Sequence, residues 1–302
     1  MKREFFLGWM AVILGLTGCS MKMLAVDVTA DIMVDGAKAI EEESDLTLAD
    51  TAIAANIKML EGLLKASPRN ETLRILCSKS YGGYAFAFME DAYEEFQKRD
   101  SKKAKEYKER ANLFYERGKS YALSILEENK KFKQALGSHF EAYEAQVNDL
   151  DRSDIAPIFW TAYNWGNWIN LNLHSPQAIA DAPRMELLMQ KVLAWDESYF
   201  FAGPHLFYGA YYGSRPPMLG GNLLKSKEHF ERALTLTNRK FLIAQVLYAQ
   251  YYAVQAQDKK LFDALILEVL EAPDTIFPEQ SLITQLAKKK AYRLRAQRFQ
   301  LF

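Results

Sequence analysis

Three stretches of the chain repeat one spacing, and that spacing decides what the chain can fold into. Asn56, Leu60, Leu63, Leu64 and Pro68 follow steps of four, three, one and four, as do Met185, Met189, Val192, Leu193 and Glu197, and Ser226, Phe230, Ala233, Leu234 and Asn238. Steps of three and four place side chains on one face of an α-helix, and a proline or polar residue at the last position stops the turn. No run of strand length alternates Val, Ile or Thr with polar residues, so the sequence predicts an all-α chain.

The spacing resembles the second helix of a tetratricopeptide repeat, whose small residues meet a partner helix. Partners are present: Leu206 to Tyr212 carries a small-then-tyrosine step, and Phe241–Gln257 followed by Lys260–Leu270 reads as a further pair. The units are irregular, because Arg215-Pro216-Pro217-Met218-Leu219-Gly220-Gly221-Asn222 is inserted between Gly209 and Ser226. Lys98–Arg110 reads as an exposed helix or loop. A closing helix buries Leu282, Ile283, Leu286, Ala287, Ala291 and Leu294 and turns Lys288, Lys289, Lys290, Arg293, Arg295 and Arg298 outward. The expected architecture over 46–302 is one domain of irregular helical-hairpin repeats in a cup-shaped solenoid with a continuous core and a concave face.

The N-terminus carries a targeting pattern. Lys2 and Arg3 precede an apolar run from Phe5 to Leu16, then Leu16-Thr17-Gly18-Cys19. The run is too short to span a bilayer, and the cysteine at the expected cut resembles a bacterial lipoprotein signal. That resemblance implies removal of residues 1–18 and acylation of Cys19. Residues 19–45 read as a tether and helix lead-in, with Thr47 or Asp50 a candidate cap for the helix that follows. Ser20 behind the cysteine resembles outer-membrane sorting patterns.

Composition narrows function further. Thirty-eight Lys and Arg balance 38 Asp and Glu, so no basic surplus recommends a nucleic-acid partner. With Cys19 acylated, Cys77 has no partner and reads as a buried, inert thiol in a helix. His139, His174, His205 and His229 are scattered, and no metal-ligand pair, phosphate loop or nucleophile elbow appears, so the expectation is no metal, no cofactor and no enzyme. Aromatics are abundant, with 18 Phe and 16 Tyr, which calls for a large core or an aromatic-lined cavity.

Three local segments concentrate that aromatic content. Tyr81-Gly82-Gly83-Tyr84 leads through Phe86 to Phe88, and two mid-helix glycines point to close helix approach or to open room. Phe159-Trp160-Thr161-Ala162-Tyr163-Asn164-Trp165-Gly166-Asn167-Trp168 places Trp165 on a different face from Trp160 and Trp168, so the rings form either a thick core or the wall of an apolar site. The third segment is Tyr211 to Asn222, with Arg215 a fixed cation at a rigid corner, open either to a ligand carboxylate or to a structural salt bridge.

Together with the lipobox, these segments resemble the TRAP-transporter T-component (TatT) family, from about Leu46 to the end. The Pro-Pro-x-Leu-Gly-Gly insertion is the most specific element. The resemblance implies a lipid-anchored periplasmic protein, trimeric, that associates with the substrate-binding P-component of a tripartite ATP-independent periplasmic transporter and holds or channels a small hydrophobic ligand. The corresponding candidates are Tyr84, Phe88, Trp160, Tyr163, Trp165, Trp168, Tyr208, Tyr212 and Arg215 for the ligand. Pro216, Pro217, Leu219, Gly220, Gly221 and Asn222 are the candidates for the rim that meets the partner. The competing expectation is a helical-repeat scaffold for envelope assembly, which would show only an open concave groove in place of a continuous internal tunnel lined by these rings.

Overall fold

The computed structural model describes residues 23–302; the segment read as a signal, 1–18, and Cys19 lie outside them. Every regular element among the described residues is helical. A first helix, α1, covers 23–41. It is followed by α2 (Leu46–Ala66) and by α3 (Glu71–Tyr84), which runs through a π turn (Ala85–Glu90) into α4 (Asp91–Phe96). Next come α5 (Ser101–Leu126), α6 (Lys130–Leu136), α7 (Phe140–Asp149), α8 (Ile155–Leu171), α9 (Pro176–Trp195), α10 (Tyr199–Gly213) and α11 (Leu223–Leu236). The chain closes with α12 (Ile243–Tyr248) and a second π turn (Ala249–Ala253), then α13 (Lys259–Glu271), α14 (Ser281–Ala296) and α15 (Arg298–Leu301).

Short polar residues start many of these helices by accepting the free amides of the first turn. Asp45 accepts from Thr47 and Leu48, Asn70 from Leu73, Asp100 from Lys103, Asn222 from Lys225 and Asp258 from Leu261. The cap of α2 is therefore Asp45, not Thr47 or Asp50. Sequential helices pack side by side: α2 on α3, α8 on α9, α10 on α11 and α13 on α14, while α5 lies across both α3 and α8. Of the positions that share the repeated spacing, Leu60, Leu64, Met185, Met189, Val192, Phe230, Ala233 and Leu234 are buried, and Asn56, Leu63 and Leu193 are half-buried.

Part of the segment read as tether and lead-in is a packed helix. Val26 and Ala30 of α1 are buried against Leu60, Leu64, Leu73 and Cys77. Asp27 accepts from Ser67 Oγ at 3.0 Å and Asn70 Nδ2 at 2.7 Å, fixing α1 to the α2–α3 turn. Cys77 is fully buried, and burial first, then the nearby Glu61 carboxylate, pushes its thiol up to about 12.

The closing helix differs from its sequence reading at Lys290, which is 1% exposed. Its ammonium lies 2.7 Å from Glu94 and 3.4 Å from Asp91, and Arg293 pairs with both carboxylates. A helix-face count could not foresee this, because the two partners stand about two hundred residues away in the chain. Burial alone would push Asp91 up, but Lys290, Arg293 and Lys289 together hold it down at about 2. One residue earlier, Glu90 accepts from Tyr115 Oη at 2.7 Å, and burial together with Glu94 raises its carboxyl to about 7.

Candidate functional site

Inside the ring formed by α2, α3, α8, α10, α12 and α14 lies a cavity of about 230 Å³. Its wall is mainly aromatic and aliphatic. Helix α3 and its π turn contribute Gly83, Tyr84 and Phe86, and α8 contributes Phe159, Trp160 and Tyr163. The opposite side is Phe200, Phe207, Phe241 and Tyr251, and Leu282, Ile283 and Leu286 of α14 close it. Ala37, Ile40 and Glu41 bring the last turn of α1 into the same wall.

The two glycines of α3 have different reasons to be there. A methyl group on Gly82 would stand 2.5 Å from Asn164 Oδ1, so this glycine lets α3 and α8 meet. A methyl on Gly83 would touch nothing within 4 Å, because it would point into the cavity.

The wall also holds strained backbone. Phe200, Phe201 and Ala202 have φ of 45°, 57° and 58°, three successive left-handed residues of which none is glycine. Each costs roughly 1–2 kcal/mol and persists only where packing dictates it. The packing is visible: Phe200 stands edge-on to Trp160 at 4.8 Å, and Phe201 stacks on Phe241 at 4.7 Å. The left-handed turn thus joins the central and C-terminal cores across one side of the cavity.

Polar groups on the wall are few. Asn56, Ser80, Asn167, Asn170 and Gln280 line it, and the side-chain carbonyl of Asn170 is buried without a partner. Among the described residues of the wall, Lys79 and Glu41 alone are charged, and they pair with each other. Gln280 Nε2 donates to the second Glu41 oxygen at 2.8 Å.

Of the ligand candidates named from sequence, the structure brings Tyr84, Trp160 and Tyr163 together on this wall. The others stand elsewhere. Phe88 packs on Tyr84 at 5.3 Å, and Trp168 packs among core residues of the α5–α8 side. Trp165 donates from Nε1 to Asp181 at 3.0 Å. Tyr208 and Tyr212 stack on His229 at 5.1 and 5.8 Å. Arg215 is buried, with its guanidinium 3.7 Å from the Tyr211 ring centre and Nη1 donating to the Tyr211 carbonyl at 2.9 Å. It lies off the cavity wall, and among the described residues its guanidinium contacts the Tyr211 ring and carbonyl.

The 215–222 loop is a turn on the outer surface. Gly220 has φ 88°, and a side chain on Gly221 would collide with the Arg215 carbonyl, so both glycines are required by backbone. Pro217–Leu219 forms one helical turn, and Asn222 caps α11. Met218 is 87% exposed and Leu224 67%, with Leu219 and Leu223 beside them, so the loop carries an apolar surface patch.

A family model for the TRAP transporter T-component (TAtT) matches residues 42–302. The chain belongs to that family. A protein of Treponema pallidum (strain Nichols), described as uncharacterized, is 21% identical over 296 residues, which is 92% of this chain and 91% of that one. T-components are accessory parts of a transport system. No described helix of this T-component is long and apolar enough to cross a membrane.

Several wall residues of this T-component escape sequence reasoning. Phe207, Phe241 and Tyr251 sit in ordinary helical patterns that give no sign of facing a void. Phe200 faces it only through the left-handed turn, which no glycine announces. Two histidines expected to be scattered are adjacent: His205 and His229 share a hydrogen bond between their Nδ1 atoms at 2.9 Å, and the Glu197 carboxylate accepts from His205 Nε2 at 3.0 Å.

Proposed function

We propose that this T-component holds a small, largely apolar ligand in the aromatic cavity and passes it to or from a substrate-binding P-component docked on its surface. The observation that carries this reading is the cavity itself, an unfilled interior space in a core whose other helices pack closely. An envelope scaffold needs an outer groove and has no use for an interior one lined by strained aromatic backbone. The apolar patch of Met218, Leu219, Leu223 and Leu224 supports a docking face at the loop formed by Pro216, Pro217, Gly220, Gly221 and Asn222. Acylation of Cys19 would hold the protein at the periplasmic face of the outer membrane, and assembly as a homotrimer would set several cavities around one partner.

The test uses 1-decanol and calorimetry. Wild-type protein binds it, and Gly83→Leu, which adds a side chain where nothing stands within 4 Å, fills the cavity and abolishes binding while retaining the helical circular dichroism. Equal binding by both proteins would remove the cavity from the account. Pull-down of the soluble P-component by wild type and its loss in Met218→Asp checks the docking face.

A further inference from the structure

The only charges on the cavity wall among the described residues come as one pair. Lys79, on the α3 face that carries Gly83 one turn later, and Glu41, the last helical residue of α1, have side chains 30% and 23% exposed. They therefore mark the place where the apolar space meets solvent. Lys79 Nζ also lies 5.4 Å from the centre of the Phe200 ring, so its ammonium is seated on the strained turn as well as on the carboxylate.

The pair is asymmetric in how firmly each member is held. Lys79 sits within a helix packed on α2, α5 and α8. Glu41 ends α1, where the helix dipole is negative, and Glu42 and Glu43 follow it directly. Three successive carboxylates at the negative end of a helix repel one another, and Lys79 supplies the nearest counter-charge. Glu41, although Gln280 also holds its second oxygen, is thus the replaceable partner of a cation that faces an apolar chamber.

Resting on the ligand-holding reading above, we propose that Lys79 is the head-group site of the cavity and selects an amphiphile with a single carboxylate, which displaces Glu41 and seats its apolar chain between Trp160, Tyr163 and Phe200. The exchange is carboxylate for carboxylate on one ammonium, so no new charge is buried. Displaced Glu41 frees the last turn of α1, whose Ala37 and Ile40 also line the wall, and so loosens the helix that follows Cys19.

The experiment compares decanoate with 1-decanol by calorimetry in wild type, Glu41→Gln, Lys79→Met and Lys79→Arg. Glu41→Gln keeps an acceptor for Gln280 and removes the competing charge, so decanoate binds about tenfold more tightly. Lys79→Met weakens decanoate by about tenfold or more, Lys79→Arg restores it, and 1-decanol affinity stays level across the series. If decanoate and 1-decanol both bind and neither responds to Glu41→Gln or Lys79→Met, the head-group assignment is wrong and the cavity reading survives. If neither binds wild type or Glu41→Gln, the cavity reading itself falls.

Discussion

The π turn Ala85–Glu90 faces two opposite kinds of interior. On one side Phe86 and Ala87 line an apolar cavity that leaves space unfilled and holds strained backbone. On the other, Glu90, Asp91 and Glu94 meet Lys290 and Arg293 in a cluster where nearly every charge is buried and paired. The ionic side ties α14 to α4 and so braces the ring of helices. The apolar side is the region that the closed ring leaves free. A chain can keep a void in its core only if something else fixes the walls, and here long-range ion pairs do so.

The largest expected effect follows from breaking the ionic side. Asp91→Ala leaves Lys290 and Arg293 short of a partner in a site 1% exposed and should cost about 3–5 kcal/mol in urea unfolding. A loss below about 1 kcal/mol would mean that the cluster does not hold the ring together. A smaller contrast lies in the two glycines. Gly82→Ala forces a methyl onto Asn164 and should destabilise by about 1–3 kcal/mol. Gly83→Ala removes a helix-weakening glycine at no steric expense and should stabilise by up to about 1 kcal/mol. Equal effects at both positions would contradict the picture of one packed and one open face.

A further contrast lies in pH dependence. Burial raises Glu90 to about 7, so its contribution is full below about 4.5 and is lost as pH rises through 7. Burial and the neighbouring His205 lower His229 to about 4, so its contribution is present above 6.5 and is lost as pH falls toward 4. Between pH 7 and 5 the two slopes oppose. Glu90→Gln should unmask a loss of about 1–2 kcal/mol on acidification, and His229→Gln should unmask a gain, each read from urea midpoints at the two pH values.

The helices and three aromatics of the wall, Tyr84, Trp160 and Tyr163, were legible in sequence, because period and residue type are local properties. Leu60, Met189 and Phe230 fall where their spacing puts them, and Gly82-Gly83 announced both close approach and open room, one from each residue. What stayed hidden is set by residues far apart in the chain. Lys290 reads as a solvated lysine until Asp91 and Glu94 are placed beside it, and His205 reads as isolated until α11 brings His229 to it. The left-handed turn at Phe200–Ala202 has no local signal, since only packing on Trp160 and Phe241 makes that conformation tolerable. Trp165 shows the converse: a conspicuous ring in a tryptophan-rich segment, turned away from the cavity to Asp181.

The account's central claim is that the aromatic cavity is a ligand chamber. Crystals of the protein grown with 10-bromodecan-1-ol test it directly through the anomalous signal of bromine. The account predicts a bromine peak inside the wall formed by Tyr84, Trp160, Tyr163 and Phe200. Bromine only on the outer surface, with the cavity closed over by its own side chains, would contradict it.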